Sequence, residues 1–233
     1  MQCNVAGVNI MSMWEPDGMS SANADRQRGK PYHHGALHSA MIEASIALAR
    51  EGGPDRVILR EAARAAGVSH SAAYRHFADR EALLVEVSRH ARKELATEMR
   101  RRVNRAKDPL ARLQAVGTAY VDFALTQPGL FRTAFISHPA TTHADDRNRY
   151  AGPENRSSAD SAEPYEILGE VLDQVQAAGL LDARRRPGAE IAAWSAVHGL
   201  ANLLLDGPLP ATPADIKFSL AQVLDLIARG LLN

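Results

Sequence analysis

Three histidines near the start of the chain, His33, His34 and His38, stand close enough in sequence to suggest a metal site, and His34 and His38 share one helical face. No carboxylate or cysteine completes the set, so no metal is expected. Ser195 lies in an apolar helical stretch and outside any Gly-x-Ser-x-Gly turn, which removes support for a hydrolase triad. Neither a P-loop nor a dinucleotide fingerprint is present. The chemistry expected is therefore recognition, with no enzyme activity and no cofactor. The strongest recognition signal is the segment Leu59–Phe77. Gly67 supplies a tight turn, because only glycine reaches positive φ cheaply. Ala62, Ala63 and Ala66 let two short helices approach, and Val68, Ala73 and Phe77 fill the space between them. Ser69 is placed as the cap of the second helix. That helix is too short and too polar for a core, and its small or polar first turn suits base edges in a major groove. This pattern predicts a helix-turn-helix and double-stranded DNA as the partner. Ahead of it, the basic run Arg26-Gln27-Arg28-Gly29-Lys30 has the character of an arm that follows a minor groove, with Arg28 and Lys30 as its contacts.

A second constellation lies further along. Aromatic residues make up 5% of the chain, yet Tyr120, Phe123, Phe131 and Phe135 fall close together. With Trp194 and His198, four apart on one helix face, they form a candidate small-molecule pocket. Ile191 and Leu205 are expected on the same side of that helix. Val197, Leu200 and Leu204 occupy the other, so the helix is apolar all round and must be covered on all sides. One chain covers one face; a second copy would cover the other, giving a homodimer through the last two helices.

The elements that must position these groups are helices throughout. No run alternates with period two, so the fold class expected is all-α, with about nine helices. The periodicity predicts helices near 35–51, 59–66, 70–77, 80–107, 109–126, up to 136, 162–178, 188–206 and 213 onward. The fourth, capped by Asp79, would be about 40 Å long. Residues 1–31 are expected to be a disordered arm, 32–80 the DNA-binding domain and 81–233 a helical ligand-binding and dimerisation domain. The polar stretch 137–161 is too long for an ordinary connection, so it is either disordered or functional.

The formal net charge is zero, with 27 basic and 27 acidic residues. The sum conceals an asymmetry: residues 26–105 hold 16 Lys and Arg against 9 Asp and Glu, a net +7, and residues 106–233 hold 11 against 15, a net −4. A basic first half fits a DNA-facing module. A single cysteine excludes an intrachain disulfide. The apolar run Ile191–Leu205 is too short and polar for a membrane span, and the first 25 residues lack a basic start for a signal peptide, so a cytoplasmic location without membrane attachment is expected.

The entry Tyr32-His33-His34-Gly35, the turn Ala66-Gly67-Val68-Ser69, and Tyr74-Arg75-His76-Phe77 with Asp79-Arg80-Glu81-Ala82-Leu83 together resemble the DNA-binding domain of the tetracycline-repressor (TetR) family of bacterial regulators. The second domain resembles the group of these regulators marked by a Trp-His-Gly signature, here Trp194-Ser195-Ala196-Val197-His198-Gly199. The resemblance implies that His70, Ser71 and Ala72 face bases, and that Tyr74, His76 and Arg80 touch phosphates. It implies a dimer on a palindromic operator, repression as the default, and an unknown small-molecule effector. One departure stands out: Ile58 occupies the position where the family usually places a capping Ser or Thr. The competing reading is a helical protein–protein adaptor whose hairpin never meets DNA.

Overall fold

The computed structural model describes residues 34–136 and 163–232. Among them lie nine α-helices: α1 His34–Gly52, α2 Leu59–Ala65, α3 His70–His76, α4 Arg80–Val103, α5 Pro109–Thr126, α6 Pro128–Ala134, α7 Pro164–Ala177, α8 Ala189–Leu205 and α9 Pro213–Leu231. No strand occurs among the described residues, only an isolated bridge between Leu181 and Leu232. The expected arm 1–31, with Arg28 and Lys30, and the stretch 137–161 lie outside the described residues.

Local chemistry sets the helix ends. Asp79, Asp108 and Thr212 each accept a hydrogen bond from the backbone N–H three residues on, capping α4, α5 and α9. Proline opens α5, α6, α7 and α9, where its missing N–H costs nothing. α4 is shorter than the sequence suggests. It stops at Val103, and Asn104–Ala106 turn away through bonds to the carbonyls of Arg102 and Val103. Pro109 holds Asp108 in extended backbone (φ −131°, ψ 164°), and before it the last turn tightens into i→i+3 bonds at Arg105 and Ala106. At 24 residues α4 still spans about 36 Å.

α4 is the axis of the molecule. Its early buried residues, Leu83, Leu84 and Val87, lie toward α1 and α6; its later ones, Leu95 and Met99, lie toward α5 and α7. α1 and α6 meet at closer range than side chains allow. A Cβ on Gly129 would stand 2.0 Å from the Ala49 carbonyl oxygen and 2.9 Å from that of Arg50. Beside this contact, Arg50 donates to Gln127 Oε1 (2.6 Å) and to both oxygens of Glu94 (3.3 and 2.6 Å), tying α1 to α6 and α4.

Candidate nucleic-acid interface and interior cavity

The turn between α2 and α3 is built by its backbone. Gly67 has φ +67°; its N–H bonds the Arg64 carbonyl, and the Val68 N–H bonds that of Ala63. This paired closure of a helix end requires a left-handed residue at its centre. Ser69 then caps α3, its Oγ accepting from Ala72 N at 3.3 Å. Ala73 and Phe77 point inward, and the His38 ring stacks on Phe77 at 4.8 Å. What remains outward on α3 is His70, Ser71, Tyr74 and Arg75, all exposed, with Ala72 and His76 half-buried. His70 and Tyr74 pack ring against ring at 4.7 Å. The helix therefore presents imidazole, hydroxyl, phenol and guanidinium donors on one surface. Such groups hydrogen-bond phosphate oxygens and base edges.

Two arginines add to the sequence reading. Arg80 donates from Nε to the Val57 carbonyl (2.8 Å) and from Nη2 to that of Pro54 (2.7 Å), so its guanidinium clasps the connection between α1 and α2. Arg75 escaped notice although it is exposed next to Tyr74; its signal was a cation beside the phenol on a solvent-facing helix. Ile58 indeed caps α2 without a side-chain hydrogen bond.

The aromatic constellation closes around Tyr120. Trp194 Nε1–H donates to the Tyr120 hydroxyl at 2.9 Å, and that hydroxyl lies 2.7 Å from His198 Nδ1. The hydroxyl thus joins the indole N–H to the imidazole ring in one hydrogen-bonded trio. Burial pushes the His198 pKa below its ordinary value, in keeping with a neutral ring. Phe131 and Phe135 flank the trio, with ring centres 5.5 Å and 5.9 Å from that of Tyr120. A cavity of about 110 Å³ opens beside it, walled by Tyr120, Phe135, Trp194 and Tyr165 and by aliphatic side chains of α5, α8 and α9.

Of the six residues expected to line a pocket, Tyr120, Phe135 and Trp194 do so. Phe131 and His198 pack behind that wall, 5.6 Å from each other. Phe123 is buried but stands apart, because α5 walls the cavity only from Leu110 to Tyr120 and Phe123 lies one turn beyond. Ile191 shares the Trp194–His198 face by helical spacing, but it sits in the first turn of α8 and is 57% exposed. Tyr165, at the start of α7 and 5.7 Å from Trp194 between ring centres, is the wall residue that sequence reasoning missed. Its signal was helical: it lies one turn before the inward Leu168. Among the described residues no group of three or more His, Cys, Asp or Glu is placed to hold a metal, and no helix is long and apolar enough to cross a membrane.

Residues 41–87 match the family of bacterial regulatory proteins, tetR family, and residues 113–227 match the tetracyclin repressor-like C-terminal domain. The two matches take in 47 and 115 of the 233 residues; the first contains α2–α3 and the second most of the cavity wall. The chain belongs to the TetR family. This TetR-family protein is a DNA-binding transcription regulator, and α2–α3 is its helix-turn-helix. Solved structures agree in fold. A protein of unknown function from Rhodococcus sp. RHA1 is 27% identical, with coverage of 88% of this chain and 100% of that one at a TM-score of 0.64. A TetR family transcription regulator from Marinobacter aquaeolei VT8 is 20% identical, covering 85% and 97%, with a TM-score of 0.58. The TetR family transcriptional regulator PfmR from Thermus thermophilus is 23% identical, covering 81% and 97%, at 0.51. No curated protein matches the chain.

Proposed function

We propose that this TetR-family regulator is a repressor that holds a palindromic operator as a homodimer and is released when a small molecule enters the cavity. His70, Ser71 and Ala72 read base edges. Ser69, Tyr74 and His76 position the helix on phosphates, and Arg75 joins them. Arg80 supports the interface chiefly by bracing the α1–α2 connection, with its remaining N–H available to phosphate. The basic arm at Arg28 and Lys30 follows the minor groove.

The dimer reading rests on apolar side chains left in water on the last two helices. Ile191 is 57% and Leu203 45% exposed on α8; Phe218 is 66% and Leu226 61% exposed on α9. Exposed large apolar groups concentrated on adjacent helices mark an association surface. A two-fold pair joined there would present two α3 helices to operator half-sites about 34 Å apart or a multiple of that.

One observation supports the release mechanism: a single short helix runs from the cavity wall to α1, the helix against which α2 packs. Phe135, at the end of α6, walls the cavity, and Gly129, near its start, lies against the α1 carbonyls. α4 is locked to the same helix end, since Ser88 Oγ donates to the Ala134 carbonyl at 3.0 Å. A ligand that displaces Phe135 therefore pushes on α1, which packs against α2, and on α4, whose Arg80 holds the α1–α2 connection. Couplings of this kind are about 1–3 kcal/mol, a 5–150-fold change in DNA affinity. Operator affinity measured with and without a saturating cavity ligand tests the reading. A fall within that range is expected, and unchanged affinity would overturn it.

A further inference from the structure

The cavity wall carries two charged side chains, and they neutralise one another. Arg92 of α4 donates from Nε to Glu163 at 2.8 Å, with only 14% of the arginine and 22% of the glutamate side chain exposed. Arg92 Nη1 serves Ser88 Oγ (2.6 Å) and the Ala134 carbonyl (3.1 Å). Its Nη2 has no hydrogen-bond partner among the described residues. Around this pair the wall is apolar: Tyr120, Phe135, Tyr165 and Trp194 form a chain of rings on one side, with neighbouring ring centres 5.7–5.9 Å apart, and aliphatic side chains make up most of the rest.

From these observations we infer that the effector is a compact, uncharged, single-ring aromatic molecule bearing one acceptor oxygen, such as a ketone, aldehyde or ester. The inference rests on the effector-cavity reading above and specifies its chemistry. A cavity of about 110 Å³ is somewhat smaller than the engineered cavities of about 150 Å³ that hold benzene, so it limits the guest to a single ring with a small substituent. The four-ring side of the wall offers such a guest edge and offset packing. An ionic guest must leave water for a site whose two charges are already paired, so neither an anion nor a cation finds a counter-charge to offset its desolvation. An acceptor oxygen on a neutral guest loses far less than an ion on leaving water, and Arg92, a wall residue whose Nη2 bonds no described residue, would supply it with a charged donor.

Calorimetric titration of the full chain with acetophenone, ethylbenzene, benzoate and benzylamine tests this. Acetophenone is expected to bind at least about tenfold more tightly than the other three, the scale of one charge-assisted hydrogen bond. Arg92→Met is expected to bring acetophenone and ethylbenzene within threefold of each other. Glu163→Gln leaves Arg92 uncompensated, so benzoate should bind it at least about tenfold more tightly than it binds the wild type. This variant keeps the test decisive if loss of Arg92 disturbs folding. Benzoate or benzylamine matching acetophenone on the wild type overturns the inference, as does a Glu163→Gln protein indifferent to benzoate. If all four bind alike, the charge argument falls and the cavity reading stands; if none binds, both fall.

Discussion

Gly129→Ala puts the proposed route between cavity and DNA to a physical test. The added methyl would sit 2.0 Å from the Ala49 carbonyl oxygen, 2.9 Å from that of Arg50 and 3.0 Å from Gly53 N. Ordinary contact begins near 3.4 Å, so α6 and α1 must separate by about 1.4 Å at this point. The obstructing atoms are backbone at the end of a helix and cannot rotate aside as a side chain would. Overpacking of this kind costs about 1–3 kcal/mol and occasionally more. For a chain of 233 residues that corresponds to about 2–12 °C in Tm. The separation also loosens the grip of Gln127 on Arg50 and moves α1, on which α2 and α3 are seated, so operator affinity should fall although residue 129 touches no DNA. Thermal unfolding at fixed protein concentration gives the first number and operator titration the second. A variant that melts within 1 °C of wild type and binds operator unchanged would refute the reasoning.

Three further perturbations have defined outcomes, and His198 adds a pH dependence. Ile58→Thr supplies the side-chain cap that α2 lacks, and Ile58→Val is its isosteric control; the Thr variant should be the more stable by about 1 kcal/mol in denaturant unfolding. Tyr120→Phe strips the hydroxyl that joins Trp194 to His198 inside the core, and urea unfolding should show a loss of about 1–3 kcal/mol. His198 has a folded pKa below its unfolded value of 6.5, so its contribution to stability is complete above that pH and is lost as pH falls below it; the loss should be smaller in His198→Gln, measured by Tm between pH 7.5 and 5. Arg75→Ala should weaken operator binding and reduce the slope of log affinity against log salt by about 0.9, the share of one phosphate contact.

Much of this protein is legible in its residues because its elements are helical and its turn chemistry is local. The Gly67 turn, the Ser69 cap and the inward Ala73 and Phe77 follow from a dozen contiguous residues, and the structure matches each. The end of α4 is misjudged because its last turn tightens into i→i+3 bonds at Arg105 and Ala106, which apolar periodicity does not signal. The cavity is only half legible for a different reason. Helical spacing says which residues share a face, but it does not say where along the face a neighbouring helix ends, and so Phe123 looks equivalent to Tyr120. Tyr165 meets Trp194 across 29 positions of sequence, a contact that only packing reveals. Arg80 shows the same limit: a cation at a helix start suits a phosphate, yet here two carbonyls of the α1–α2 connection reach it first.

The central claim is that the exposed face of α3 reads a symmetric operator. Selection of bound duplexes from a random pool by the full chain, repeated with a Tyr74→Phe, Arg75→Ala double variant, tests it most directly. The account predicts enrichment of one palindromic sequence by the wild type, with the same sequence recovered more weakly by the variant. No enriched sequence with the wild type, or enrichment unaffected by the two substitutions, would contradict it.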